Sequence, residues 1–219
     1  MIEIQNETSS KALNLPVQVE DWGLIDYEEA LHLQERRAQE LQKNLIPGFL
    51  VFCSHPPVVT LGRKTEEGDL TTWTGPIISI ARGGRATYHG PNQLIAYPIL
   101  NLTFFNKDLG WLLRTLERVS IQTLGDFGVS ASTRAGQTGV WIGERKIASI
   151  GLGVKSWVSQ HGIALNLFYD PSDFKGLRPC GLESSVMISL EELIDRRDIQ
   201  NFSQSWRSSL EKEIQSKLW

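Results

Sequence analysis

The chain has 219 residues, 41% hydrophobic and 21% charged, with a formal net charge of −3. This is the composition of an ordinary soluble globular protein with a sizeable core, and the negative charge argues against a dedicated nucleic-acid binder. With two cysteines, no metal-type Cys/His spacing, no basic-then-apolar leader at the start and nothing near the roughly 20 apolar residues that span a bilayer, the expectation is a reducing cytoplasm, free thiols, no metal and no membrane.

In chain order, the spacing of Leu24, Tyr27, Leu31, Ala38, Leu41 and Leu45 predicts an amphipathic helix over residues 24–44, capped near Asp26 and closed by Pro47-Gly48. Residues 49–53 read as a buried strand, Pro56-Pro57 as an extended turn, and 58–63 and 77–81 as further strand-like runs. A strand follows over 94–102 and a second helix over 108–127, with Leu109, Leu112, Leu113, Leu116, Val119 and Leu124 inward. A hairpin is predicted with arms 139–142 and 146–151, then a strand over 162–167 and a last helix over 199–218 carrying Ile199, Phe202, Trp206, Leu210 and Ile214. Strand groups separated by single helices suggest one α/β (α+β) domain, residues 1–219, with a mixed sheet.

The run from Arg82 to Gln93 is the densest in chemistry. Arg82, Gly83, Gly84, Arg85, Ala86, Thr87, Tyr88 and His89 combine two cations, two glycines, a threonine and a titratable ring between two strand-like runs. Glycine allows close approach of backbone to a ligand, so this segment reads as a binding loop for a polar or anionic group.

The two cysteines read differently. Cys53 closes a hydrophobic strand and behaves as a small apolar residue. Cys180 sits between Pro179 and Gly181, near Lys175 and Arg178, where positive surroundings favour the thiolate. Lowering a thiol from the reference value near 8.5 by about 1.5 makes half of it nucleophilic at pH 7, at about 2 kcal/mol of differential stabilisation. A lysine on a rigid element suits that role. Lys146, opening a strand, and Lys155, beyond it, both qualify on spacing. His89 and His161 are further titratable candidates, whereas His55 and His32 read as structural or surface residues. No Ser-His-Asp order, phosphate loop or acidic metal cluster stands out.

Together these segments resemble the lipoyl(octanoyl) transferase family. The resemblance rests on residues 55–63 (His-Pro-Pro-Val-Val-Thr-Leu-Gly-Arg), Arg82 to His89 with Gln93 and Tyr97, residues 139–151, residues 161–166 (His-Gly-Ile-Ala-Leu-Asn) and Arg178-Pro179-Cys180-Gly181, in the family's order. Asn92 stands where members usually carry glycine. The resemblance implies the catalytic-domain fold of biotin and lipoate protein ligases. It implies Cys180 as nucleophile, Lys146 as the residue that lowers its pKa and moves its proton, and an acyl site lined by residues 82–89, Ser149, Ile150, Gly151, Gly162, Ile163 and Ala164. It implies octanoyl-acyl carrier protein as donor and apo lipoyl domains of 2-oxoacid dehydrogenases and the glycine cleavage H protein as acceptors, with no cofactor and a monomeric enzyme. Burying the octanoyl tail at about 0.8 kcal/mol per methylene yields about 5 kcal/mol. Arg63, Lys64, Arg82 and Arg85 are expected to offer a basic patch to the acidic carrier. The competing readings are an ATP-dependent lipoate or biotin ligase on the same fold, a thioesterase, and a non-catalytic acyl-binding protein.

Overall fold

The computed structural model describes residues 15–43, 46–168, 170 and 173–218, with the backbone but not the side chain of Cys180. Strands β1 (Gln18–Leu24), β2 (Gly48–Ser54), β6 (Gln93–Leu100), β7 (Ser132–Arg134), β8 (Gln137–Ile142), β9 (Arg145–Lys155) and β10 (Val158–Asn166) form one sheet in the order β1-β2-β6-β10-β9-β8-β7. Within it the β1–β2 pair is parallel and the other pairs run antiparallel. A small second sheet joins β4 (Ile77–Ser79), β3 (Val58–Leu61) and β5 (Thr87–His89), with β3 central.

Side-chain alternation assigns each face its partner. Leu50 and Phe52 of β2, with Leu94 and Ala96 of β6, join the cluster built by helices α2 (Leu109–Asp126) and α3 (Ile199–Ser216). Phe49, Val51, Cys53, Ile95, Tyr97 and Ile99 pack on the other face with Ala38 and Leu41 of α1 (Tyr27–Lys43). Both faces are therefore covered, which is why β2 and β6 read as unbroken apolar runs.

The first helix starts later than its spacing suggests. Asp26 accepts from the Glu28 backbone N–H at 2.8 Å and caps α1, while Leu24, expected to be helical and inward, ends β1 and is 64% exposed. Asn44 and Leu45, the end of the expected helix, lie outside the described residues. Three strands went unpredicted. β1 and β7 are mostly exposed, and Thr87–His89, read as loop, pairs Val58↔His89, Val59↔Tyr88 and Thr60↔Thr87. The strand expected over 162–167 begins at Val158, because β9 and β10 form a hairpin whose turn, Ser156 (φ 52°) and Trp157 (φ 62°), contains no glycine or asparagine.

Candidate active site

The segment Arg82–His89 is clamped on both sides. Arg63 N–H donates to Arg82 O (3.1 Å), Lys64 N–H to Gly84 O (3.0 Å) and Gly83 N–H to Leu152 O of β9 (3.1 Å). The Arg82 guanidinium donates to Thr60 O (2.9 Å), Thr60 Oγ1 (3.0 Å) and Gly83 O (2.9 Å), and its stem crosses Gly151, where a Cβ would come within 2.8 Å of Cδ. Arg82 therefore ties the small sheet to the large one and is only 5% exposed, so it is no part of a basic surface.

Arg85 is likewise engaged. Nε and Nη2 grip the fully buried Asp69 carboxylate at 2.6–3.1 Å and Nη1 meets Glu66 at 2.9 Å. Burial alone would raise the Asp69 carboxyl, but the Arg85 bonds and the backbone N–H groups hold it below the usual carboxylate range. The exposed cations of the expected patch are Arg63 and Lys64.

The turn Pro179–Gly181 lies against β5, and Arg178 N–H donates to Asp69 O at 2.8 Å. Gly181 takes φ 77°, and a Cβ there would sit 2.6 Å from Arg85 Cζ, so the guanidinium rests on the residue after Cys180. The cations the sequence placed at this turn act elsewhere. Arg178 pairs with Glu183 at 2.6 Å, and Lys175 borders a separate hollow beside Trp73.

Lys146 and Lys155 separate in space. Lys146 is 3% exposed near the start of β9 and lines a cleft of about 380 Å³ with Lys64, Gly84, Arg85, Leu109, Leu182 and neighbours. Lys155, exposed at the far end of β9, borders a surface groove beside α1. Trp141 lies opposite Lys146 and Val140 opposite Ala148, so Ile147 is an extra residue, a bulge of the kind that re-aims a side chain. The Lys146 stem occupies the space left by Gly139 (a Cβ there would be 2.5 Å from Cε), and its ammonium stands 5.4 Å from the Trp141 ring centroid.

Sharing Gly84, Ile150 and Gly151 with the cleft is a small chamber of about 40 Å³. It collects Arg82, Gly84, Thr87, His89, Ser149, Ile150, Gly151, Gly162, Ile163 and Ala164 of the expected acyl site. Gly83 and Arg85 border the outer cleft instead. Ala86 and Tyr88 face neither, packing with Val59, Phe174, Leu177 and Met187. Strand alternation explains this: Thr87 and His89 point one way, Tyr88 the other.

The chamber also holds Tyr27, Tyr97 and His161, which the expected lining did not include. His55, fully buried, donates from Nδ1 to Ile25 O (2.8 Å). Its Nε2 is therefore bare and accepts the Tyr97 hydroxyl at 2.8 Å. His89 is fixed through a longer relay. Asn166 Nδ2 donates to Ile188 O (3.1 Å), Gln93 Nε2 to Asn166 Oδ1 (2.9 Å), and His89 Nδ1 to Gln93 Oε1 (3.2 Å), leaving His89 Nε2 as an acceptor. Burial holds all three rings neutral: His55 below the ordinary histidine value, His89 well below it, and His161, with help from Arg82, down to about 4. Gln34 was also missed. It is a fully buried polar residue whose Oε1 accepts the His161 backbone N–H at 2.9 Å, and its seven-residue step from Tyr27 on the inward face was the available signal.

Residues 26–211 match the family described as lipoyl protein ligase A/B catalytic domain. Over 209 residues the chain is 44% identical to an octanoyltransferase of Bdellovibrio bacteriovorus, covering 87% of this chain and 95% of that one. Over 205 residues it is 36% identical to an octanoyltransferase of Clostridium kluyveri, covering 87% and 88%. A solved lipoate-protein ligase A bound with ATP has the same fold, with a TM-score of 0.71 at 14% identity over 93% of this chain and 94% of that chain. The chain thus belongs to the lipoyl protein ligase A/B catalytic-domain family, with the fold its motifs implied. Within that family its relatives are octanoyltransferases, and it is an enzyme, an acyltransferase.

Proposed function

We propose that this enzyme moves an octanoyl group from octanoyl-acyl carrier protein to a lysine of apo lipoyl domains through a thioester on Cys180. One observation carries the reading. Arg85, whose guanidinium lies against Gly181, and buried Lys146 line one cleft with Leu182, the residue just after the Pro179–Gly181 turn, and that cleft shares Gly84, Ile150 and Gly151 with a small chamber. An anionic sulfur at the turn is favoured by both cations, and an alkyl tail finds apolar walls in Ile150, Ile163 and Ala164.

The chemistry balances without an external energy source. The Cys180 thiolate attacks the donor carbonyl, the carbon–sulfur bond to the carrier breaks, and the departing thiolate takes a proton from the Lys146 ammonium. The neutral ε-amine of the acceptor lysine then attacks the enzyme thioester and gives its extra proton to Lys146. Collapse forms the amide and returns the Cys180 thiolate beside an ammonium. Under this reading the enzyme acts as a monomer in the cytoplasm, Arg63 and Lys64 meet the acidic carrier, and the acceptors are lipoyl domains of 2-oxoacid dehydrogenases and the glycine cleavage H protein. Among the described residues no helix is long and apolar enough to cross a membrane.

Mass spectrometry after incubation with octanoyl-acyl carrier protein, without nucleotide, tests the reading. The expected product is a single octanoyl adduct on Cys180 that disappears when apo lipoyl domain is added. Full transfer by Cys180→Ser, or transfer only with Mg-ATP, would overturn it. Lys146→Ala is expected to raise the pH midpoint of Cys180 alkylation by about one or more; an unchanged midpoint means that Lys146 does not stabilise the thiolate.

A further inference from the structure

Asp69 stands in the loop between β3 and β4, a position to which the motifs assign nothing, and its side chain is fully buried. A buried carboxylate is uncommon unless it is paired, and this one is paired toward the Cys180 turn. It reaches that turn from both ends. Before Cys180, the Asp69 carbonyl accepts the Arg178 N–H at 2.8 Å. After Cys180, the Asp69 carboxylate accepts Arg85 Nε at 3.1 Å and Nη2 at 2.6 Å, and the guanidinium so held lies against Gly181. The carboxylate is itself anchored, by the Glu66 N–H at 3.1 Å and by the Ala86 N–H.

The next residues lengthen the grip. Leu70 bridges Leu177, and Thr71 N–H donates to Gly176 O at 2.8 Å. Gly176 takes φ 78°, and a Cβ there would run into the backbone of Thr72 and Trp73, so the two segments lie in direct contact. Residues 69–72 are thus a rail for residues 176–178, and the rail ends where the turn begins. Neither stability nor thiolate activation accounts for the carboxylate. An ion pair taken out of water is often no more stabilising than apolar residues of the same volume. Its charge also has the wrong sign for activation, because it offsets the Arg85 cation that favours an anionic sulfur beside Gly181. What a carboxylate supplies and an apolar side chain does not is orientation, since two N–H groups of one planar guanidinium on one carboxylate fix its plane.

We infer that Asp69 is a positioning residue of the acyl transfer: it sets the Pro179–Gly181 turn, and with it Cys180, through the Arg178 N–H on one side and the Arg85 guanidinium on the other. The inference rests on the proposed transfer for its catalytic consequence, and the placement of the turn is measured apart from it.

Asp69→Asn keeps the side-chain shape and the carbonyl but removes the charged fork from Arg85. Glu66→Gln, at the exposed Nη1 contact, changes the charge around the same guanidinium in the same direction and leaves the fork intact. Single-turnover formation of the Cys180 octanoyl adduct, per folded molecule, is followed by mass spectrometry, and backbone hydrogen exchange is read over residues 176–182. Asp69→Asn is expected to slow the adduct by about ten-fold to a hundred-fold, as a displacement near 1 Å does, and to speed exchange in the turn by about ten-fold. Glu66→Gln is expected to stay within about two-fold of wild type in both. Arg85→Lys, which keeps the cation without the fork, should slow the adduct as well, and the double variant Asp69→Asn/Arg85→Lys should be no slower than the worse single one. Equal slowing in Asp69→Asn and Glu66→Gln would make the effect one of charge, an unchanged rate would leave Asp69 a stabiliser of the fold alone, and additive losses would remove Arg85 as the intermediary; each overturns the inference. Should Asp69→Asn fail to fold, Arg85→Lys against Glu66→Gln carries the same comparison. If the wild type forms no adduct, the transfer reading falls, and the exchange comparison alone decides whether Asp69 sets the turn.

Discussion

The two faces of the main sheet are built on different principles. Toward α2 and α3 the contacts are mainly apolar: Phe52, Leu116, Phe202, Trp206, Leu210 and Ile214 are at most 2% exposed, and buried polar groups are paired locally, as where Trp206 Nε1 donates to Ser120 Oγ at 2.9 Å and Thr123 Oγ1 to Val119 O at 2.9 Å. Toward α1 the same strands meet three neutral histidines, two buried tyrosines and Gln34, with the chamber among them. One face supplies stability by area and shape. The other accepts buried polar groups, desolvated rings and a left-handed strand residue (His161, φ 61°), and this is the face that carries the chamber, whereas the cleft with Lys146 is lined by Leu109 and Leu113 of α2.

The largest expected effect is on the apolar face. Trp206→Ala removes a fully buried indole that meets Phe52 edge-on (centroids 6.1 Å apart) and leaves a cavity, so urea denaturation should show about 3–5 kcal/mol of lost stability. If the loss is under about 1 kcal/mol, that face is not the main source of stability.

Acid should attack the other face. His161 titrates near 6.5 when unfolded and about 4 when folded, so between those values the unfolded chain takes up a proton that the folded chain refuses. Its contribution is complete above pH 6.5 and lost as pH falls to 4, about 3 kcal/mol in all; His55 and His89, depressed in the same direction, add to the loss. His161→Asn, which tolerates the left-handed backbone, should flatten the stability–pH slope in that window, whereas Trp206→Phe should leave the slope as it is. Equal slopes in His161→Asn and wild type would contradict the buried-neutral assignment.

Next in size is Asp69→Asn. It breaks the two-pronged Arg85 contact while Arg85 keeps Glu66, so the expected loss is about 2 kcal/mol. Less of the Arg85 charge is then neutralised beside Gly181, so Cys180 should alkylate at lower pH than in wild type, opposite in sign to Lys146→Ala. A shift in the same direction as Lys146→Ala would mean that Arg85 is only a brace for the turn.

The same division governs what the sequence disclosed. α2, α3, β2 and β6 were legible because burying an apolar face leaves a period of about 3.6 or an unbroken apolar run. The motifs of the candidate acyl site were read through family resemblance, since glycines at close approaches and a proline-cysteine-glycine turn are local patterns. What lay hidden is long-range polar pairing. Nothing local says that Arg82 faces Thr60, that Arg85 rather than Lys175 or Arg178 sits on the Cys180 turn, or that Gln34 reaches His161 127 residues away. The Ser156-Trp157 turn was missed for a related reason: tertiary contacts hold two side-chain-bearing residues where propensity asks for glycine or asparagine.

The smallest effect concerns Asn92, the departure from the family's glycine. A glycine at that point suggests a left-handed backbone, yet Asn92 is not among the positive-φ residues of the described chain. Its carbonyl accepts from Leu167 N–H (3.0 Å) and Phe168 N–H (3.2 Å), and its side chain reaches Asp173 at 3.5 Å, beside the Tyr88 hydroxyl that donates to the same carboxylate at 2.6 Å. Asn92→Gly should therefore restore the family residue at a loss. The long contact to Asp173 is worth little, and the added freedom of the unfolded chain contributes most of a destabilisation of about 0.4–1 kcal/mol. A thermal melt with Asn92→Ala alongside separates the terms, since alanine removes the side-chain bond without adding backbone freedom. If Asn92→Gly proves more stable than wild type, the backbone at this corner is strained, and the segment leading into β6 is held less firmly than its carbonyl bonds imply.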